Sequence, residues 1–400
     1  MDTIKYRPFL VAGLIALFSL FALWLRLLPL FTRGNTDIIS MVAMDDPFYN
    51  LRQVELILAH FPQYGWFDTM THYPVGTTIY WGPLFPLIIA VCCLITGAIT
   101  RPEIIGTALL VTPLMAAVIV VLMYFVGKAF GDWKTGVLAS GFTAVVTGQF
   151  FTVSWYGYID HHIAEVLFST LFCLLYSYAI QSAKDTPIDP ACFSSYKKTL
   201  LLSLIAGGGY LLGLFTMPTM ILFAMIVWIF TIIQFIIDIY RNRTSEYLLI
   251  INSTVFLTAI VGLMLFGLKD TGIGLSTYSI GHIYAYIGLT VGTAVLYALA
   301  HALRGKERWY YPMALLGSAA LVVVILAVAS PQIYALFISS PFAFFGQQVV
   351  TDTVLEARGW SFDQAWQSLN YGLILFAGGA LVLLYNNGKD EHPHQIFALI

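Results

Sequence analysis

Charged residues are scarce in this sequence. Only 10% of its 400 residues are Asp, Glu, Lys or Arg, whereas 59% are hydrophobic, and the mean hydropathy is +0.82. Soluble domains carry about 25% charged residues. The composition therefore excludes a water-soluble globular protein, a disordered tail and a nucleic-acid binder that relies on basic patches. The formal net charge of −2 indicates no particular partner.

Cysteine is scarce as well, and several metal and nucleotide motifs do not occur. The 4 cysteines are too few for a disulfide framework. The sequence has no zinc-binding spacing such as His-Glu-x-x-His and no Gly-rich loop of the nucleotide-binding type. A reaction driven by a nucleotide is therefore not expected.

Long apolar runs predict an all-α polytopic membrane protein with about 11 spans. A spanning helix needs about 20 mostly apolar residues. The first run lacks a cleavage site of small residues, which is typical of an anchor and not of a removed signal peptide. The run 84–99 is short and flanked by prolines, which predicts a re-entrant or interfacial segment. The predicted spans are 8–31, 104–127, 135–153, 163–181, 199–216, 217–237, 248–267, 283–303, 310–330, 367–386 and one that begins near residue 394.

The distribution of Lys and Arg predicts which loops face the cytoplasm. With the N-terminus inside and 84–99 not crossing, 13 basic residues lie on the inner side, 5 on the outer side, and Arg26 within the first span. This asymmetry agrees with the positive-inside rule. It leaves two long segments, 32–103 and 331–366, on the outer side. Long polar loops on a rigid scaffold commonly carry function, so we expect an active site on the extracellular side of the cell membrane.

The expected organisation is one transmembrane catalytic domain over residues 1–400. It comprises the first span (8–31), the first outer loop (32–103), a helical bundle (104–330), a long outer loop (331–366) and the last spans (367–400). The chain stops at Ile400 within a new apolar run. We therefore expect a further C-terminal part, including a soluble domain, to be missing from this sequence.

Three polar clusters fall on the predicted outer side, at or near the ends of predicted spans or in the outer loops. Charged groups near a bilayer are costly and usually functional. Each cluster also has a purely structural interpretation. Asp46 precedes Pro47 as a helix N-cap would, and Asp160 precedes the span at 163–181. Thr353 and Glu356 have the spacing of a capping box. The clusters are Met44–Arg52, Trp155–Glu165 and Thr351–Arg358.

The second cluster favours metal binding most directly. In an extended segment, Asp160 and His162 point to the same side, a spacing that lets the two side chains chelate one cation. Glu165 lies one turn into the span, where we expect a structural role or a gate to the cavity. Oxygen ligands with one imidazole suit Mg²⁺ or Mn²⁺, and the histidine favours Mn²⁺.

Taken together, these motifs resemble the catalytic subunit of oligosaccharyltransferase in its archaeal form. Asp46–Tyr49 matches the Asp-Pro-aromatic-aromatic end of the first outer-loop motif, and Asp160–His162 matches the archaeal Asp-His-His motif. Thr353–Glu356 matches a Thr-Ile-x-Glu-type motif, with Val in place of Ile. His72–Pro74 and Trp81–Pro83 also resemble the first outer loop of that family. The Trp-Trp-Asp-Tyr-Gly motif of the family's soluble domain has no match here.

The resemblance implies an enzyme that moves an oligosaccharide from a dolichyl phosphate or diphosphate carrier to the Asn side chain of Asn-x-Ser/Thr. It implies an acceptor polypeptide and a lipid-linked donor as partners, and action as a single subunit. The implied catalytic residues are Asp46 and Glu356, whose carboxylates would activate the amide nitrogen. A divalent cation held by Asp46, Asp160 and His162 would offset charge on the leaving phosphate.

Two further residues are candidates for binding the carrier phosphate. Arg358 follows Glu356 by two positions, and a guanidinium matches phosphate oxygens. His72 is the second candidate, in the first outer loop.

Other function classes remain open at this point. Another lipid-phosphosugar-dependent glycosyltransferase, such as a protein O-mannosyltransferase, shares an early outer-loop acid but does not account for Asp160–His162. An ion-coupled transporter would place its ionisable groups near the middle of spans, with internal repeats. A structural subunit of a membrane complex would tolerate the loss of Asp46.

Overall fold

The computed structural model describes residues 3–33, 37–185, 192–339, 359–389 and 392–400, and these residues are predominantly helical. The chain divides into two compact units, Met1–Leu174 with Leu212–Pro218 and Leu175–Leu211 with Thr219–Ile400. The prediction of an all-α membrane protein is confirmed.

Sixteen helices and two short strands make up the described residues, with 3-10 turns at Ile38–Met41 and Pro218–Met220 and a π-helical turn at Ala335–Ser339. In chain order the elements are α1 (Thr3–Thr32), α2 (Asp45–Ala59), β1 (Phe67–Asp68), β2 (Thr77–Thr78), α3 (Leu84–Thr96), α4 (Arg101–Phe130), α5 (Trp133–Val145), α6 (Gln149–Thr152), α7 (His162–Asp185), α8 (Phe193–Thr216), α9 (Ile221–Tyr240), α10 (Glu246–Phe266), α11 (Ile280–Ala302), α12 (Tyr310–Ala329), α13 (Pro331–Tyr334), α14 (Phe362–Leu369), α15 (Gly372–Lys389) and α16 (Pro393–Leu399).

Within the described residues, 8 helices are long and apolar enough to cross a membrane. Each of them coincides with one of the predicted spans, and the ends differ by a few residues because helices extend beyond the apolar run into polar flanks. These helices are α1, α4, α7, α8, α9, α10, α11 and α12.

The predicted span 135–153 is not one continuous helix. Helix α5 ends at Val145 and α6 begins at Gln149. Between them Val146 is extended and Gly148 has a φ of 75°, which interrupts the helical hydrogen bonding. The predicted continuous helix is therefore interrupted between Val145 and Gln149, and hydropathy does not detect such a backbone break within an apolar run.

The predicted span 367–386 differs from expectation. This run lies within α14 and α15, which meet at a bend of 95°. Asn370 stands at this bend with a φ of 50°. The run that begins near residue 394 is helical, as α16.

The first outer segment, 32–103, folds into two helices and a hairpin. Along α2, apolar residues recur every third position, so Leu51, Val54 and Ile57 share one face and are fully or almost fully buried. They belong to the same core as Phe85 and Ile89 of α3, a 13-residue helix that is too short to span a membrane. Full burial of each such side chain stabilises the fold by about 1.5–3 kcal/mol.

A two-stranded hairpin lies beside α2, because strand β1 pairs antiparallel with β2. The carboxylate of Asp68 accepts hydrogen bonds from the backbone N–H of Met70 and the hydroxyl of Thr71, each at 2.9 Å. It also forms an ion pair with Arg52 of α2 at 2.8 Å. Gly76 has a φ of 76°, and a Cβ there would lie 2.6 Å from the Phe67 ring. The ion pair between Asp68 and Arg52 connects the hairpin to α2, the helix that carries Asp46.

The second unit contains a buried polar network among its spans. The side-chain oxygen of Asn252 on α10 accepts from the hydroxyl of Tyr176 at 2.7 Å. Its Nδ2 donates to Thr231 at 2.8 Å and to Thr293 at 3.4 Å. A buried amide is stable only when its donors and acceptors are satisfied, so these bonds hold the helices of this unit together.

Candidate functional site

The candidate site lies in the first unit, where an irregular segment ends at Asp160 and helix α7 begins at His162. One potential ligand atom from each of Asp160, His161 and His162 lies within 4.8 Å of the others. The expected convergence of Asp160 and His162 is therefore present in the geometry, and His161 joins the group.

The carboxylate of Asp160 is fully buried and only partly hydrogen-bonded. Its Oδ1 accepts from the backbone N–H of His161 at 2.6 Å and from Asn50 Nδ2 at 3.2 Å. Its Oδ2 is buried and has no hydrogen-bond donor among the described residues. A buried carboxylate oxygen is costly unless it is paired or coordinates a metal. This oxygen therefore fits a cation ligand.

The ionisation state of Asp160 suits this role. Burial opposes ionisation, but the hydrogen bond and charge of His161 and the charge of His162 outweigh burial. The pKa of Asp160 consequently lies below its ordinary value, so the carboxylate is negatively charged at neutral pH.

The imidazole of His162 is oriented by Glu165. Its Nδ1 lies 2.8 Å from Glu165 Oε2, one turn further along α7. Its Nε2 faces Asp160 Oδ2 at 3.6 Å. A metal-binding histidine typically donates its other ring N–H to a carboxylate, which fixes the tautomer and the ring orientation. Glu165 has that geometry, a positioning role more specific than the structural or gating role expected from the sequence.

Aromatic side chains of the first outer segment pack against the histidines of this group. The Trp81 ring lies 4.9 Å from the His161 ring, and the His161 ring lies 4.6 Å from that of His162. Tyr49 of α2 contacts Trp81 edge-on at 5.0 Å. Sequence reasoning missed this contact, because the spacing between Trp81 and His161 gives no local signal.

Asp46 lies in the first turn of α2 with an exposed side chain. The alternative interpretation of Asp46 as an N-cap is wrong, because the helix begins at Asp45 and Met44 takes the capping position with a φ of 66°. The negative charge of Asp46 interacts electrostatically with the imidazole of His162.

Asn50 connects Asp46 to the group formed by Asp160, His161 and His162. Its Nδ2 donates to the backbone carbonyl of Asp46 at 3.1 Å and to Asp160 Oδ1 at 3.2 Å. The amide is buried and lies one turn after Asp46 on α2. Sequence reasoning did not select Asn50, although its position in the Asp46 motif at helical spacing was an available signal.

Three predicted site residues remain, of which only His72 lies in the described part of the chain. His72 lies in the exposed turn of the hairpin with a φ of 59°, and no contact recorded for the described residues joins its side chain to Asp160 or His162. Glu356 and Arg358 lie outside the described residues, as does the rest of the Thr351–Arg358 cluster.

We expect Glu165→Ala to raise the Kd for Mn²⁺ about tenfold, because a carboxylate that hydrogen-bonds to the other ring nitrogen of a metal-binding histidine contributes that much to affinity. Glu165→Gln keeps an oxygen acceptor and should lose less. Electron paramagnetic resonance of free Mn²⁺ measures both. The control is Glu55→Ala, which removes a carboxylate paired with Arg101 at 2.9 Å in the same unit. Unchanged affinity in Glu165→Ala would contradict the positioning role.

Comparison with known families identifies what the chain resembles. A family model described as "Oligosaccharyl transferase STT3, N-terminal" matches residues 9–358. The chain is 24% identical over 324 residues to the dolichyl-monophosphooligosaccharide–protein glycotransferase AglB of Haloferax volcanii, covering 78% of this chain. It is 25% identical over 297 residues to dolichyl-phosphooligosaccharide-protein glycotransferase 3 of Archaeoglobus fulgidus, covering 72% of this chain. The chain spans 30% and 34% of the lengths of these two relatives.

Solved structures of Archaeoglobus fulgidus oligosaccharyltransferases have the same fold. The complex of AglB with an inhibitory peptide and a dolichol-phosphate has a TM-score of 0.86 at 19% identity, over 98% of this chain and 47% of that chain. A structure tethered to an acceptor peptide with an NVT sequon has a TM-score of 0.78 at 20% identity, over 98% and 46%. A complex with Zn and sulfate has a TM-score of 0.74 at 19% identity, over 96% and 45%.

Proposed function

We propose a function for this chain from one premise, which is that it belongs to the oligosaccharyl transferase STT3 family. The proposed reaction transfers an oligosaccharide from a dolichyl phosphate or diphosphate carrier to the side-chain amide nitrogen of Asn in Asn-x-Ser/Thr. The names of the relatives and the peptide and dolichol-phosphate bound in the similar structure support this proposal.

The observation that carries the proposal is the group formed by Asp160, His161 and His162. A buried, ionised carboxylate with one oxygen that lacks a donor faces an imidazole nitrogen whose ring is fixed by Glu165. Such a donor set fits a divalent cation of the Mn²⁺ or Mg²⁺ type. We infer that Asp46 completes the ligand set with Asp160 and His162.

When bound, the cation would supply Lewis-acid stabilisation of the negative charge that develops on the leaving phosphate. The chain's own residues prepare the site for it. Asp160 stays ionised, Glu165 holds the ring of His162, and Asn50 ties Asp46 to Asp160. These contacts keep the ligands in place before substrate arrives, so little reorganisation is needed during the reaction.

The acceptor amide needs activation, because its nitrogen lone pair is delocalised into the carbonyl. We propose that the carboxylates of Asp46 and Glu356 each accept a hydrogen bond from one of its two N–H groups, which twists the amide and frees the lone pair. As the bond from nitrogen to the anomeric carbon forms, the bond from that carbon to the carrier phosphate breaks, and one amide proton passes to a carboxylate. His72 and Arg358 are the proposed partners of the carrier phosphate. An exposed Asp46 at the start of α2 is accessible to an incoming peptide.

We propose that the site faces the extracellular side of the cell membrane and that the protein acts as a single subunit. The charge asymmetry of the loops supports this orientation, since 13 basic residues fall on one predicted side and 5 on the other. Asp160 lies just before the start of α7, and Asp46 lies in the first turn of α2 within the first outer segment. Both positions are as expected for a site at the membrane interface.

The test is transfer to a fluorescent peptide that contains Asn-x-Thr, using membranes that contain the protein, native lipid extract and Mn²⁺. We expect a glycosylated shift that EDTA, Asp46→Ala and His162→Ala each abolish. A peptide with Gln in place of Asn is the matched control and should not shift.

Other outcomes assign the protein differently. A product on a Ser/Thr peptide or on a lipid, with none on the Asn peptide, would assign it to the other lipid-phosphosugar-dependent glycosyltransferases. A shift that survives Asp46→Ala would contradict the proposed site while leaving the family membership intact.

A further inference from the structure

Arg26 is a charged residue in an apolar setting that the proposed mechanism does not use. It lies in α1, the first helix able to span a membrane, and its side chain is fully buried. None of the ion pairs among the described residues gives it a carboxylate partner. Burying an arginine without an acidic partner is costly. Polar contacts of the guanidinium, and not hydrophobic packing, must therefore offset the cost of burying this charge.

The guanidinium of Arg26 reaches the segment that leads to the metal-binding motif. Its Nε donates to the hydroxyl of Ser154 at 2.7 Å. Its Nη1 donates to the carbonyl of Ala22 at 3.1 Å, which fixes the side chain against its own helix. The rings of Phe150 and Phe151 lie 4.9 and 5.3 Å from its Cζ, close enough for cation–π attraction.

The backbone of the same residue makes a second connection. The N–H of Tyr156 donates to the carbonyl of Arg26 at 2.9 Å. Arg26 therefore binds one short segment twice, through its side chain at Ser154 and through its main chain at Tyr156. This segment ends at Asp160, four positions after Tyr156.

We propose that Arg26 is a positioning residue for the cation site, acting through Ser154 and Tyr156 to set the position of Asp160. The inference deepens the proposed function and rests on its metal-dependent site. Arg26 is buried and touches neither substrate nor cation, so it is not a catalytic residue. Its effect is on the geometry of the ligands, and metal affinity is the property that reports on it.

Ser154→Ala provides the most direct test, because it removes one hydroxyl and leaves the buried charge in place. We expect the Kd for Mn²⁺, measured by electron paramagnetic resonance on the purified full chain, to rise about tenfold. Arg26→Met should raise it by at least as much. The Kd of the double variant should be no higher than that of Arg26→Met alone, because both changes break the same hydrogen bond between Arg26 and Ser154.

The matched control is Ser140→Ala. Ser140 is also fully buried in the first unit, and its hydroxyl donates to the carbonyl of Val120 at 2.9 Å between α5 and α4. Among the described residues, no hydrogen bond or ion pair joins its side chain to the segment that ends at Asp160. Its substitution should leave the Kd for Mn²⁺ unchanged. Thermal melting in EDTA shows how far each substitution lowers the stability of the metal-free protein.

The outcomes separate the positioning role from the proposed function. If the unsubstituted protein binds no Mn²⁺, the metal-dependent site itself is wrong, and the role of Arg26 falls with it. If it binds Mn²⁺ and Ser154→Ala binds equally well, the site stands and the positioning role is overturned. Additive effects in the double variant, or an equal loss in Ser140→Ala, would also overturn it. Should Arg26→Met fail to fold, Ser154→Ala alone decides.

Discussion

Asp160→Asn is expected to lower metal-dependent glycan transfer by roughly a thousandfold. Asparagine has the same shape, so its Oδ1 can still accept from Asn50 and from the N–H of His161. The charge is lost, however, and the buried Oδ2 is replaced by an NH₂ group that cannot bind a cation. Losing about 4 kcal/mol of transition-state charge stabilisation corresponds to about three orders of magnitude in rate.

The control for this substitution is Asp68→Asn. Asp68 is also a buried carboxylate of the first unit, but it lies in the hairpin and pairs with Arg52 of α2. Its loss should leave the Kd for Mn²⁺ unchanged. Single-turnover transfer and Mn²⁺ titration are measured for both variants. Transfer by Asp160→Asn within tenfold of the unsubstituted protein would refute a metal-ligand role for Asp160.

Most of the helices could be predicted from the sequence because membrane spans are local features. A run of about 20 apolar residues is sufficient to indicate a span, and eight such runs are long apolar helices in the structure. The break between α5 and α6 could not be read from hydropathy, because Val146 and Gly148 interrupt the helix through their backbone angles. The same applies to the bend at Asn370.

The contacts of the candidate site also fall into two classes, those between near neighbours in the sequence and those between distant residues. Asp160 and His162 are two positions apart, so their convergence could be predicted from the local backbone geometry. Asn50 and Asp160 are separated by 110 positions, and Arg26 and Ser154 by 128. Contacts of that kind arise only when helices pack. The long-range contacts of Asn50 and Arg26 were therefore missed, whereas the proximity of Asp160 and His162 could be predicted.

The start of α2 shows a different limit of the sequence pattern. Asp before Pro is a strong capping signal, yet α2 begins at Asp45, two residues before the Pro47 that this pattern would place first in the helix. Asp45 and Asp46 then both lie in the first turn, where negative charge is favourable at the positive end of the helix dipole. The structural interpretation of Asp46 as an N-cap is therefore wrong, and its side chain is exposed.

Gly157→Ala is expected to lower transfer about a hundredfold and to weaken Mn²⁺ binding. Gly157 has a φ of 130°, which glycine adopts but residues with a side chain rarely do. A Cβ would lie 2.8 Å from the carbonyl oxygen of Met41, and the carbonyl of Gly157 accepts from the N–H of Ala43 at 2.8 Å. The added methyl group must therefore push the segment away from its support, three residues before Asp160.

Gly97→Ala separates this displacement from backbone strain. Gly97 also has a positive φ, 71°, but it ends α3 in open space, with no atom within 4 Å of an added Cβ. Its substitution costs about 1–2 kcal/mol of stability through strain alone, with no route to the ligands. We expect Gly97→Ala to keep its Mn²⁺ affinity and Gly157→Ala to lose it. A displacement of about 1 Å is enough for a hundredfold loss of rate, so equal transfer by the two variants would show that Asp160 does not depend on the segment that holds it.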